Sequence, residues 1–285
     1  MDSLKKIVPE WARKIANTSI LRYRQINWRN RQLPGFIIIG AQKSGTSSLF
    51  SYLSQHPHLI PSYKKEVHYF DGGLNPDVDN FNKGLSWYQS HFPLKQHCGN
   101  NQITFEASPL YLYNPLVPQR ISGLNPEVKL IAILRHPVER AISHYFHEKR
   151  NNRESLPVLE AFQSEEERLK PIIDKQDYKN DSFIRQSYKS RGLYYEQLVR
   201  YLEHFSMSSI LVINSELLFT QPEIALRNVF EFVGVDPDFA IKDLRPRNVG
   251  DYRSKVGTDA YEYLIDYFEP HNQKLYELIG VDYGW

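Results

Sequence analysis

Short apolar runs and amphipathic stretches alternate along this chain. Phe36-Ile-Ile-Ile39 is an apolar run closed by Gly40, and a small polar loop separates it from a helical period that sets in near Ser44. A run of that kind, bounded by turn residues, is the pattern of a buried strand feeding a helix. Ser47–Gln55 is expected to be that helix, stopping before His56-Pro57. Ile103–Pro109, Val128–Leu134 and Ile210–Asn214 repeat the strand pattern, and helices are expected over 115–124, 138–150, 192–205, 223–233 and 259–279. Within 192–205 the apolar residues stand at 194, 198, 201, 202 and 205, one face of a helix. Lys64–Asp71 reads as an extended segment with a charged start, ended by the turn Asp71-Gly72-Gly73. Residues 74–100 look irregular apart from a short aromatic helix near Leu85–Phe92. Alternation of strand and helix predicts an α/β fold, a central, mainly parallel sheet flanked by helices. Residues 151–190 are polar, charged and weakly periodic, and are expected to form a surface insertion with helical pieces, a candidate lid. The expected organisation is a helical N-terminal arm over 1–34 and a domain over 35–285.

Composition narrows the class. The chain has 285 residues, 41% apolar and 24% charged, with no apolar run near membrane-spanning length and no apolar leader at its start. Cys98 is the single cysteine, which rules out an intrachain disulfide and suits a reducing, cytoplasmic setting. The formal charge of +2 is unevenly spread: residues 1–34 carry eight Lys/Arg against Asp2 and Glu10, leaving the rest of the chain acidic. A basic excess confined to a short arm argues against a nucleic-acid partner. Trp11 and Ile15 after Pro9 suggest an amphipathic helix there, expected to pack on its own domain, with an anionic membrane surface as the alternative. The 19 tyrosines fit either an aromatic acceptor groove or ordinary packing.

The chemistry gathers at the first loop. Gly40 and Gly45 stand as in G-x-x-x-x-G, but Thr46 occupies the place of the Walker lysine, and Lys43 lies inside the loop. A nucleotide kinase also needs Ser or Thr after that lysine to hold magnesium, and no acidic metal ligand ends a later strand. The pattern therefore describes an anion site without a metal: Ser44, Gly45, Thr46, Ser47 and Ser48 present backbone N–H groups at a helix start, with the positive dipole end behind them. Arg135 falls at the carboxyl end of a strand, the edge where open α/β sheets bind ligands, and Ser143 follows within the second turn of the next helix. A guanidinium and a hydroxyl so placed can clamp a second phosphate; taken alone, a helix-capping arginine and a solvent-facing serine explain them better. His144, His147 and Glu148 have helical spacing but lack a further ligand, so no metal site is expected.

Together these residues resemble the cofactor site of sulfotransferases that use 3′-phosphoadenosine 5′-phosphosulfate (PAPS). The resemblance is closest to the carbohydrate, heparan-sulfate-type branch. Its marks are Lys65-Glu-Val-His-Tyr-Phe-Asp71, Gly84-Leu-Ser-Trp-Tyr88, Ser108-Pro-Leu-Tyr111 and Ile131-Ala-Ile-Leu-Arg-His-Pro-Val-Glu-Arg140. It runs from about Gly35 to Trp285 and weakens in 151–190 and 244–258. The resemblance implies a P-loop NTPase-like sulfotransferase fold. It also implies transfer of a sulfuryl group to a hydroxyl or amine of a small-molecule, sugar or glycosylated acceptor, with adenosine 3′,5′-bisphosphate leaving. A phosphosulfate carries less charge at its transferred end than a triphosphate and has less need of a metal.

Carried over by position, Lys43 would bridge the leaving phosphate and the moving group, with Ser44–Ser48 as the 5′-phosphosulfate loop. Glu66 would be the general base and His68 would line the acceptor site. Arg135 and Ser143 would hold the 3′-phosphate, and Arg247–Arg253 stands where relatives have a basic cofactor loop, which gives Arg253 a binding role. Three departures stand out. Ala107 replaces a lysine beside the acceptor, which argues against a polyanionic sugar chain; the relatives' paired cysteines are missing; and no Golgi anchor is present, as in a soluble bacterial-type member. A nucleotide phosphotransferase with an altered loop and a catalytically silent nucleotide-binding protein remain as other readings.

Overall fold

The computed structural model describes residues 9–99, 101–247 and 255–285. Arg253 lies outside them. In chain order the elements begin with α1 (Glu10–Ile26), β1 (Phe36–Gly40), α2 (Thr46–Leu53), β2 (Leu59–Pro61), α3 (Gly84–Gln89), β3 (Ile103–Ala107), α4 (Val117–Leu124), β4 (Lys129–Leu134) and α5 (Pro137–Arg150). They continue with α6 (Val158–Gln163), α7 (Glu165–Asp174), α8 (Asp181–Arg185), α9 (Tyr194–Leu202), β5 (Ile210–Asn214), α10 (Ser215–Thr220), α11 (Pro222–Val233) and α12 (Thr258–Ile279).

Among the described residues five strands form one sheet in the order β2-β3-β1-β4-β5, and every pairing between them is parallel. Ile37 pairs with Glu106 on one side and Leu130 on the other, and Leu134 pairs with Asn214. From β1 the chain builds one half of the sheet through β2 and β3, then crosses to build the other through β4 and β5. That reversal opens a crevice at the carboxyl end of β1, the place where such sheets bind ligands.

Both faces of the sheet are covered, which is why its strands read as continuous apolar runs rather than alternating ones. Successive residues of β1 and β4 point to opposite faces. Ile37, Ile39, Leu130 and Ala132 pack with Leu198, Tyr201 and Leu275, while Phe36, Ile38, Ile131 and Ile133 pack with Leu49, Leu226 and Phe230. The Phe36 and Phe105 rings stack at 4.9 Å on the second face.

Three details differ from the sequence reading. Leu59–Pro61 is a three-residue edge strand too short to show a period, and it was not anticipated. Residues 64–71 form a loop rather than an extended segment, since Glu66 and His68 take left-handed backbone angles, φ 61° and 53°. The stretch 151–190 is better packed than its polarity suggests: Phe162 and Tyr188 are buried with Leu264 and Phe268 of α12, and the buried Glu165 carboxylate accepts from the amides of Lys189 and Ser190. In the N-terminal arm, Arg24 donates to the carbonyls of Ser90 and Phe92, and Leu33 packs against the core, while Ile20, Tyr23 and Ile26 stay exposed; the side chains of Trp11 and Ile15 lie outside the described ones. Among the described residues no helix is long and apolar enough to cross a membrane.

Candidate functional site

A cavity of about 620 Å³ opens at the carboxyl edge of the sheet. Its wall draws on the loops after β1, β3, β4 and β5, which meet there because the strands are parallel. The volume is in the range of small-molecule sites, roughly 300–1,000 Å³.

The loop after β1 is held tightly. The Ala41 amide donates to Ile133 and the Leu49 amide to Gly45, so the turn is bonded to β4 and to the first turn of α2. Gly40 lets another backbone come close, since a Cβ there would lie 2.7 Å from the Cβ of Leu112. Gly45 has φ +103°, a conformation that glycine adopts without penalty. Lys43, at φ 70°, also adopts the left-handed region, and Arg135 Nη1 donates to its carbonyl at 3.2 Å. Lys43, Gly45, Thr46 and Ser47 line the cavity. Ser44 and Ser48 do not: both are fully buried, and Ser48 Oγ accepts from the Arg247 amide. Burial, together with the neighbouring Arg150 and Arg135 charges, lowers the Lys43 pKa, so its ammonium stands ready for an anionic partner.

Arg135 and Ser143 line the same cavity. Arg135 also approaches Glu139 Oε2 at 3.8 Å, and its carbonyl accepts from the Tyr194 hydroxyl.

Glu66 lines the cavity and His68 does not. The Glu66 amide donates to the carbonyl of Ala107 at the end of β3, which fixes the loop to the sheet edge. Its carboxylate meets Lys65 Nζ at 2.6 Å and His68 Nε2 at 3.6 Å, and its side chain is 41% exposed. Behind it His68 Nδ1 lies 2.6 Å from Asp71 Oδ2, giving a carboxylate–imidazole–carboxylate row that runs inward from the cavity. Desolvation pushes the Glu66 pKa up, but His68 and Lys65 outweigh it and bring it down to about 2. Burial works against a charged His68, yet Asp71 and Glu66 raise it to about 9.

Several wall residues were not singled out from sequence. Ser215, Glu216, Phe219 and Thr220 come from α10, whose first turn is capped by the Asn214 side chain accepting from the Glu216 and Leu217 amides. A strand ending in Asn-Ser-Glu at the ligand edge was the available signal. Leu74, Arg153, Ile184 and Arg185 also line it, three of them from 151–190, as do His147 and Glu148, which the sequence offered only as an incomplete ligand set. Among the described residues no tyrosine lines the cavity; buried tyrosines such as Tyr52, Tyr188 and Tyr201 instead bond their hydroxyls within the core.

A phosphate loop after β1 and a cationic crevice at the point where strand order reverses define an α/β protein of the phosphate-loop class. The family model described as Sulfotransferase domain matches residues 33–255. The chain belongs to that sulfotransferase family. It is 30% identical over 278 residues to heparan sulfate glucosamine 3-O-sulfotransferase 3B1 of Mus musculus, covering 90% of this chain and 66% of that protein. It is 28% identical over 323 residues to membrane-associated sulfotransferase kil1 of Dictyostelium discoideum, covering 89% of this chain and 66% of that one. It thus spans just under two thirds of the length of these relatives. A solved sulfotransferase from Alicyclobacillus acidocaldarius matches with a TM-score of 0.72 at 33% identity, covering 88% of this chain and 97% of the other.

Proposed function

We propose that this protein transfers a sulfuryl group from PAPS to a hydroxyl or amine of a sugar or small-molecule acceptor. The observation that carries the reading is that Lys43, at a phosphate loop, and Glu66, a carboxylate held to the same sheet edge, line one cavity. Family membership supports it over a kinase, as does the lysine placed inside the loop. The donor supplies an electrophilic sulfur and the 5′-phosphate of adenosine 3′,5′-bisphosphate as its leaving group.

Three tasks fall to the protein's own residues. Lys43, with the loop amides and Thr46 and Ser47, holds the 5′-phosphosulfate and stabilises charge as the sulfur–oxygen bond to phosphate breaks. Glu66 takes the proton from the acceptor atom as that atom bonds to sulfur. A carboxylate with so low a pKa is a weak base, but it suffices for an acceptor atom made acidic by its forming bond. His68, behind Glu66, orients that carboxylate, and Asp71 keeps the imidazole charged. Arg135 and Ser143 hold the 3′-phosphate, and Arg247, beside α2, adds a cation to the wall. The part of the wall made by Leu74, Arg153, Ile184 and Arg185 receives the acceptor, so residues 151–190 shape acceptor choice. The single cysteine supports a reducing, cytoplasmic site of action.

The test is a panel of sugar and amine acceptors incubated with labelled donor without magnesium and read by mass spectrometry, beside calorimetry of adenosine 3′,5′-bisphosphate. Sulfated product and metal-free binding are expected. Preference for ATP with magnesium would instead establish a phosphotransferase, and bisphosphate binding with no product would leave a silent binder.

Arg135→Ala should cost roughly 1.5–3 kcal/mol of donor affinity, the scale of a hydrogen bond to a charged group, and Ser143→Ala less. Arg135 also holds the Lys43 carbonyl, so Ser143→Ala is the cleaner arm. Adenosine 5′-phosphosulfate lacks the 3′-phosphate; equal weakening of both ligands by Ser143→Ala would remove the clamp assignment.

His68 should leave a signature in stability. Its folded pKa lies near 9 against an ordinary 6.5, so its stabilising contribution is fully present below about 6.5 and is lost as pH rises through 9. Melting temperatures of wild type and His68→Gln should therefore differ most near pH 6 and converge by pH 10. A gap independent of pH would contradict the charged imidazole.

A further inference from the structure

Beneath the Glu66 loop lies a carboxylate that the proposed chemistry does not use. Glu106, in β3, is fully buried, and three hydroxyls point at it. Tyr88 Oη donates to Oε1 at 2.7 Å, Ser108 Oγ to Oε2 at 3.0 Å, and Tyr111 Oη to Oε1 at 3.3 Å. Two of those hydroxyls then accept from the catalytic loop. Ser108 Oγ takes the His68 amide at 3.1 Å, and Tyr111 Oη takes the Tyr69 amide at 2.9 Å, with that of Phe70 at 3.4 Å. The third hydroxyl belongs to a ring stacked on Tyr69 at 4.6 Å, so it too bears on the loop.

The donor and acceptor roles are fixed by counting protons. Each hydroxyl has one hydrogen, and while that hydrogen is committed to Glu106 its lone pairs are free for backbone N–H groups. Burial pushes the Glu106 pKa up to about 7 against the hydrogen bonds from Tyr88 and Ser108, so the full clamp belongs to its ionised form, which offers about four lone-pair sites and no donor and can take all three hydroxyls at once. The loop needs such restraint. Glu66 and His68 both have positive φ, a conformation that costs non-glycine residues and persists only where the surroundings dictate it. We propose that Glu106 is a positioning residue for the transfer reaction: through Ser108 and Tyr111 it clamps the amides of residues 68–70, and so holds His68 behind Glu66 and aims the Glu66 carboxylate at the cavity.

This rests on the reading of Glu66 as the base, and the experiment separates the two. Glu106→Gln keeps the shape but offers one acceptor oxygen and an NH₂ donor, which forces at least one hydroxyl to accept and to compete with the loop amides. Hydrogen exchange at residues 68–70 should quicken about tenfold or more, since amides freed from a local clamp open without global unfolding. Turnover should fall about 10²-fold, the scale of a misplaced catalytic group, with adenosine 3′,5′-bisphosphate affinity within about twofold of wild type. Tyr111→Phe and Ser108→Ala each cut one strand of the clamp, and they carry the test if Glu106→Gln fails to fold. They should loosen residues 69–70 and 68 respectively. Unchanged exchange at 68–70 in the variants, or a parallel loss of bisphosphate binding, melting temperature and turnover, would overturn the proposal. Glu66→Gln is run alongside. If it turns over normally while Glu106→Gln still loosens the amides, the clamp stands and the base assignment is the part that fails.

Discussion

Glu66→Gln is expected to lower turnover by roughly 10²–10⁴-fold, the usual contribution of a positioned general base. The amide keeps the size of the side chain, and the backbone bond from residue 66 to the Ala107 carbonyl is untouched. What is lost is the place for the proton and the charge that faces Lys65 and His68. Bisphosphate affinity should stay near wild type, because the groups proposed to hold the nucleotide lie on other loops. The wild-type rate should show no acid limb at the ordinary carboxylate pKa of 4.5, because Glu66 stays ionised down to about pH 2. Near-normal turnover in the glutamine variant would move the proton's destination to the acceptor itself or to bulk water.

Lys43→Ala should fail differently, losing both rate and donor affinity. Removing one charge-stabilising donor from a pre-formed anion site typically costs about 10²–10³-fold in turnover. The variant is clean because the loop does not depend on the side chain: Arg135 grips the Lys43 carbonyl, and alanine suffers no more than lysine from the left-handed backbone. Calorimetry with the bisphosphate and single-turnover rates with PAPS would separate the two losses. A variant that binds the bisphosphate normally and is slow only in transfer would confine Lys43 to the moving group. One that binds poorly but transfers at the normal rate would confine it to the phosphate.

Much of this scaffold was legible in the sequence because its strands are buried on both faces. Ile210–Asn214 is found where the pattern placed it, and β1, β3 and β4 lie within a residue or two of their apolar runs. Buried parallel strands announce themselves by composition alone. Leu59–Pro61 did not, being three residues on an edge, with a proline that an edge tolerates. The 64–71 loop was misread as extended because its left-handed turns at glutamate and histidine follow no residue preference; tertiary bonds from Ala107, Ser108 and Tyr111 impose them. The wall supplied by α10 was hidden for a related reason: helical periodicity shows which face is buried and says nothing of which helix end meets a ligand. Likewise Ser44 and Ser48, equivalent to Ser47 in composition, are set apart only by which way each side chain turns, Ser44 in the loop and Ser48 on α2.

Gly45 is held by two constraints of different kind. An added Cβ would come within 3.0 Å of the Phe219 ring, and its φ of +103° disfavours any side chain. The first is a matter of space that a smaller residue at 219 relieves. The second is local to the peptide itself, costs an L-residue about 1–2 kcal/mol in left-handed conformations, and responds to no change elsewhere in the chain. The two positions are therefore epistatic in one direction only. Shrinking Phe219 enlarges the room around the phosphate loop without ever making substitution at Gly45 neutral. Substitution at 219 can thus ease the crowding, while the turn after β1 is held to glycine by its own backbone angle.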